Sequence, residues 1–272
     1  MRGYPMSFCG MGTSLWRNRY LLKKSVQREI VSRYRGTALG ALWSLVQPMF
    51  LLVVYSFVFS VVFKARWHGG SDSKIEFALI LFSGLMVFNL FAECVNRAPS
   101  LILENTGYVK RVIFPLEILP WVILGGAVFN IVVSFLVWLC AYILFAGLPS
   151  PAILCFPVIL GPLCFFTLGI SYFLSALGVY LRDISQIINV IVTALLFLTP
   201  IFYSVENLEQ SYRIFLYLNP LTMVVEQARN LLLWGRLPQI NQLALEYLVS
   251  TLVCWLGFVW FQKTRKGFAD VI

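Results

Sequence analysis

The sequence predicts an all-α, polytopic membrane protein: six transmembrane helices, an N-terminal amphipathic helix lying in the membrane interface, and short re-entrant or gate helices on the outer side. Three observations carry this reading. Of the 272 residues, 60% are hydrophobic and 12% charged, with a mean hydropathy of +0.82, far outside the range of an ordinary soluble domain. The charges fall in clusters, as they must when one at mid-membrane costs about 2.5–3.5 kcal/mol. Residues 118–181 carry no charge at all. As a helix that run would be about 96 Å long, three bilayer thicknesses, so it has to fold back.

The elements follow in order. The first twelve residues, MRGYPMSFCGMG, lack both an apolar core and a small-residue cleavage site, so they do not read as a removable signal peptide. Residues 13–35 place Leu15, Leu22, Val26, Ile30 and Tyr34 on one helical face, with Arg17, Lys23, Lys24, Arg28 and Arg35 mostly elsewhere. That pattern fits a helix in the inner interface, and its basic excess suits anionic lipid. The charge-free residues 36–63 hold a first span at about 40–63, and Glu76 and Glu93 bracket a second at about 76–97. A third span at about 120–146 and a fourth at about 152–180 are joined by GLPSP at 147–151, a turn sequence. Arg182 and Asp183 then precede a fifth span at about 184–203, which Asp183 and Gln186 are expected to open as a capping box. A sixth, at about 243–261, ends in the basic KTRK.

Six spans put both termini on one side. The face that holds residues 1–39, the 97–119 loop, the 181–183 turn and the C-terminal tail collects 15 of the 21 Lys and Arg, so the positive-inside rule makes it cytoplasmic.

Two further segments look ordered. The cytoplasmic loop PSLILENTGYVKRVIFP at 99–115 is apolar for a loop; it fits a short helix docking into a partner's groove, and equally a helix resting on the membrane. The outer segment 204–238 reads as two short helices: Ser204 can cap the first, Asn219-Pro220 the second, and Gly235 ends it. A re-entrant gate hairpin and a structured loop fit it equally well.

The chemistry is mostly defined by what is missing. No Gly-x-x-x-x-Gly-Lys-Ser/Thr occurs, so no P-loop is encoded, and no Ser/His/Asp or paired-carboxylate arrangement stands out. Charges deep within the spans, which ion-coupled carriers use, are also expected to be lacking. The six cysteines read as small apolar residues, not as disulfide or metal ligands, and the single His68 as a solvated loop residue. A passageway driven by something else is the remaining reading. Trp43, Phe50 and Phe57 recur every seven residues of the first span, with Gln47 between the first two. Such a stripe could pack against sugar C–H faces, although helix packing is its default meaning. Gly36, Gly40 and Ser44 form a second stripe, whose default meaning is close helix contact.

SRYRGTALGALWSLVQP at 32–48, VIFPLEILP at 112–120, YLRDISQI at 180–187, TPIFY at 199–203 and LNPLT at 218–222 together resemble the membrane subunit of ABC exporters that move lipid-linked polysaccharides: O-antigen, capsule and wall teichoic acid. The similarity covers nearly the whole chain, with the motifs in the family's order. It implies a homodimer in the cytoplasmic (inner) membrane, each subunit bound to a separate P-loop ATPase that holds the ATP and magnesium, with no cofactor or metal bound by this chain and no nucleic acid as partner. The carrier lipid would be undecaprenyl diphosphate, and membrane lipids would be the other contacts. Under the same resemblance the first and fifth spans line the conduit. Phe197, Phe202 and Tyr203 then join Trp43, Gln47, Phe50 and Phe57 as path-lining residues. Arg28, Arg33, Glu104, Asn105, Tyr108, Lys110 and Arg111 would face the ATPase, and Tyr212, Phe215, Asn219, Pro220 and Met223 would form the external gate. An exporter of a drug or small lipid shares this architecture. A membrane enzyme acting on a polyprenyl-linked substrate would need a His, Asp or Glu cluster at one membrane face, and a scaffold would have no use for the apolar cytoplasmic loop.

Overall fold

A computed structural model of the chain describes residues 8–36, 40–58, 74–109 and 114–271. Its elements are helical throughout, with no strand among the described residues: α1 (Phe8–Arg17), α2 (Arg19–Tyr34), α3 (Trp43–Phe57), α4 (Lys74–Arg97), the single turns α5 (Leu101–Glu104) and α6 (Thr106–Val109), α7 (Leu119–Ala146), α8 (Phe156–Tyr180), α9 (Ile184–Leu198), α10 (Gln210–Tyr217), α11 (Pro220–Trp234), α12 (Ile240–Thr264) and α13 (Phe268–Val271). Among the described residues, four helical stretches are long and apolar enough to cross a membrane: Ile75–Glu104, Leu116–Ala146, Pro151–Tyr180 and Ile240–Gly267. Two further apolar helices, Trp43–Tyr55 and Ile184–Leu198, are shorter. The end of the expected first span at 59–63, the His68 loop, and Lys110 and Arg111 lie outside the described residues.

Helix α4 is the axis of the bundle. Its side chains from Phe77 to Leu90 are buried except for Asn89, and α3, α7, α8, α9 and α11 all pack on it. Helices α8 and α12 form the tightest pair, because two glycines let their backbones meet: a Cβ added to Gly257 would lie 2.1 Å from the Gly169 carbonyl oxygen. Small residues are what allow such an approach in lipid, where van der Waals packing must replace the hydrophobic drive.

Local chemistry sets the boundaries. Gly147 turns the chain at φ +93°, and the Ser150 side chain then accepts from the Ala152 amide (3.4 Å) to begin the next helix, so the charge-free run folds back where GLPSP predicts. Asn219 caps α11 from its side-chain oxygen (3.1 Å) with Pro220 behind it, and Gly235 ends that helix in the left-handed region. Ser204 likewise accepts from the Glu206 amide.

Other expectations change. The interface helix begins earlier, at Phe8, and is two helices meeting at Asn18, whose side-chain amide donates to the Ser14 carbonyl and so competes with the helix ladder. The capping box at Asp183 does not form: its backbone is already helical and its side chain makes no cap bond. Helix α9 stops at Leu198, before Thr199 turns extended ahead of Pro200, as the residue before a proline tends to. Gly36 and Gly40 do not mediate helix contact. They lie between helices α2 and α3 at φ +85° and +52°, with nothing within 4 Å of where a Cβ would sit, and they serve the turn from α2 into α3.

Candidate functional site

A cavity of about 670 Å³ opens between α3, α4 and α7, with the end of α2 at one side. Its walls carry Ser44 and Gln47 from α3, Asn89, Glu93 and Asn96 from α4, Asn130 and Ser134 from α7, and Arg33 from α2, along with the rings of Trp43, Tyr55 and Phe82. Helix periodicity explains the alignment: Asn89, Glu93 and Asn96 are four and three residues apart and so share one face of α4. Pro48 interrupts the α3 ladder beside them.

A chain of charges lies at the α2 end of this cavity. Arg33 pairs with Glu93 and, at 3.4 Å, with Glu29; Glu29 also pairs with Arg97, and Asn130 donates to Glu93 at 2.7 Å. Burial by itself would push Glu29 up, but Arg97 and Arg33 outweigh it and hold the carboxyl below its usual range. Burial would likewise lower Arg33, yet Glu93 and Glu29 raise it, so it stays cationic. Glu93, expected to bracket the second span, lies one turn from the end of α4, where it is paired with Arg33 and hydrogen-bonded by Asn130.

The proposed path residues divide between two surfaces. Trp43 and Gln47 line the cavity, whereas Phe50 and Phe57 are 65% and 58% exposed and take no part in its walls. At the far end of α9, Phe197 and Phe202 approach to 5.8 Å between ring centres, and the Tyr203 hydroxyl donates to the Phe197 carbonyl (3.2 Å). These three do come together, and α9 and α3 both pack on α4.

Of the residues expected to meet an ATPase, Tyr108 stacks on Phe114 with ring centres 4.2 Å apart, and the Arg28 guanidinium lies 5.8 Å over the Tyr108 ring. Glu104 is exposed and accepts from Ser100, and Asn105 donates to the Leu101 carbonyl where α5 breaks into α6. Arg33 instead turns toward Glu93.

In the α10–α11 hairpin, Tyr212 and Phe215 are exposed, Pro220 and Met223 line a small pocket that also holds Glu246, and Asn219 donates to the Thr199 hydroxyl (3.0 Å). Sequence reasoning missed the residue that anchors this hairpin. Arg229, 1% exposed, donates to the Pro200 and Ile201 carbonyls (2.9 and 3.4 Å) and pairs with Glu226 (2.9 Å). It also missed the Glu29–Arg33–Glu93–Arg97 chain, for which two Glu-x-x-x-Arg pairs, 29/33 and 93/97, were the available signal.

Comparison with known proteins places this geometry. Residues 20–233 match the family model described as ABC-2 type transporter. The chain is 29% identical over 260 residues to the O-antigen export system permease protein RfbA of Myxococcus xanthus, an alignment covering 95% of this chain and 97% of the relative. It is 24% identical to the protein of the same name from Klebsiella pneumoniae (93% and 95% covered), and 23% identical to the polysialic acid transport protein KpsM of Escherichia coli (83% and 87%). With the family model spanning most of its length, including the cavity and both latched segments, the chain belongs to the ABC-2 type transporter family.

Proposed function

We propose that this chain is the permease subunit of an ABC transporter that exports a lipid-linked polysaccharide of the O-antigen kind across the cytoplasmic membrane. The observation that carries the reading is end-to-end similarity to relatives named as O-antigen and polysialic acid transport proteins. Helices α3, α4, α7, α8, α9 and α12 are taken as six spans, with both termini cytoplasmic; the short α3 and α9 are the thin walls of a conduit that a second copy completes. Sequence offers no ATP site, so a separate P-loop ATPase supplies the energy, binding ATP and magnesium itself and pressing on α5 and α6. Undecaprenyl diphosphate is the carrier lipid.

Deleting the gene tests this directly. Surface polysaccharide should disappear and lipid-linked polymer accumulate inside, and the wild-type chain should restore export only together with an ATPase whose P-loop lysine is intact. Unchanged surface glycan in the deletion strain overturns the reading.

A further inference from the structure

Within that reading, we propose that the cavity between α3, α4 and α7 is a docking subsite for a neutral, hydroxyl-rich sugar residue of the exported glycan, held by side-chain amides beside the conduit and not by ionic contacts. Its size falls within the roughly 300–1,000 Å³ of small-molecule pockets. The charge balance argues for a neutral ligand. Arg33 faces Glu93 and Glu29, and Arg97 faces Glu29, so among the described residues of this network two cations meet two carboxylates. A diphosphate would find no uncompensated cation there. Amides, by contrast, both donate and accept, which is what a sugar hydroxyl requires.

Two side chains point to a ligand more specifically. Asn89 is the exposed residue on the otherwise buried stretch of α4, and its exposure is toward this cavity. Asn96, two turns further along the same face of α4, also lines the cavity wall. Trp43 supplies a flat aromatic wall for the apolar face of a pyranose. A site built from amides and one ring holds a sugar without demanding a charge at each repeat, which suits a polymer passing through.

The intact permease–ATPase complex provides the test. A benzophenone amino acid placed at position 89 is irradiated in cells making the polymer, and the purified permease is stained for periodate-oxidisable sugar. A stained adduct is expected at position 89, absent at the exposed position 245 on α12 and absent in a strain blocked in glycan synthesis. Three results overturn the subsite: no adduct at 89 although the labelled chain still exports, an adduct at position 50 and not at 89, or an adduct at 89 that persists without glycan, which would mean an ordinary glycolipid or glycerol headgroup fills the cavity. As a second measurement, Asn89→Leu should slow export about tenfold while Asn89→Gln keeps most of it; equal rates for Asn89→Leu and wild type also overturn it. Failure of the wild-type chain to restore any surface glycan would instead defeat the export reading itself.

Discussion

Arg229 ties the α10–α11 hairpin to the segment after α9. Its guanidinium is buried and ties the Pro200 and Ile201 carbonyls to α11, and burial lowers its pKa to about 10 despite Glu226, leaving it charged at neutral pH. Arg229→Met removes those donors and leaves Glu226 short of its partner, a loss of about 3–5 kcal/mol for breaking a buried pair. The solubilised protein should then melt at a clearly lower temperature, and Arg229→Lys should recover part of the difference. Glu29 makes a pH-dependent contribution of opposite origin. Its folded-state pKa lies below the usual 4.5, so the stability it supplies is complete above that pH and is lost as pH falls through the lower folded value. Glu29→Gln should therefore cost about 1–2 kcal/mol at pH 7, and the gap to wild type should close as pH falls through the lowered folded-state value of Glu29, as followed by thermal unfolding across pH. At this scale the sequence was legible where partners are neighbours: Asn219, Pro220, Ser204 and Gly147 act within two or three residues. Arg229 reaches a backbone 28 and 29 residues away, and no local pattern announces that.

At the scale of elements, charge spacing marked out the apolar stretches, because the cost of burying a charge is local and steep, and within the charge-free run at 118–181 it was the GLPSP turn that divided α7 from α8. It did not find where α9 stops, since an apolar run extends past Leu198 while the helix yields to Pro200. Nor did it separate α4 from the turn that follows: Ala98–Ser100 and α5 continue the same helical stretch to Glu104. The α8–α12 crossing offers the sharpest test of element packing. Gly257→Leu puts a branched side chain where a Cβ alone would sit 2.1 Å from a backbone oxygen, and backbone cannot rotate away as a side chain could. The variant should fail to give a monodisperse peak in detergent, whereas Leu245→Ala, at an exposed position of the same helix, should be indistinguishable from wild type. The cavity was only half visible in the sequence. Trp43 and Gln47 belong to it, but Phe50 and Phe57, which share their seven-residue rhythm, are left on an exposed face; periodicity fixes a stripe on one helix and says nothing of which neighbour covers which part.

For the whole molecule, the connections form a path from α5 and α6 to the long apolar helices. Tyr108 stacks on Phe114 and carries Arg28 of α2 over its ring. Helix α2 then lies on α7, with Val26 filling the space beside Gly125, and is pinned to the end of α4 through Glu29–Arg97 and Arg33–Glu93. A push at α5 and α6 can thus reach α4 directly and α3 by way of α2, across the short junction that Gly36 and Gly40 turn. The second route is separable from the first. Inserting four Gly-Ser residues between Arg35 and Gly40 leaves the contacts of α2 with α7 and α4 in place but loosens α3 from α2. Under the proposed function, such a variant should copurify with an ATPase subunit that still hydrolyses ATP, yet export several-fold less polymer into the surface glycan. Export at the wild-type rate would mean that α4 alone transmits the motion, and Arg33→Gln, which loosens α2 from α4, should then matter more than the insertion.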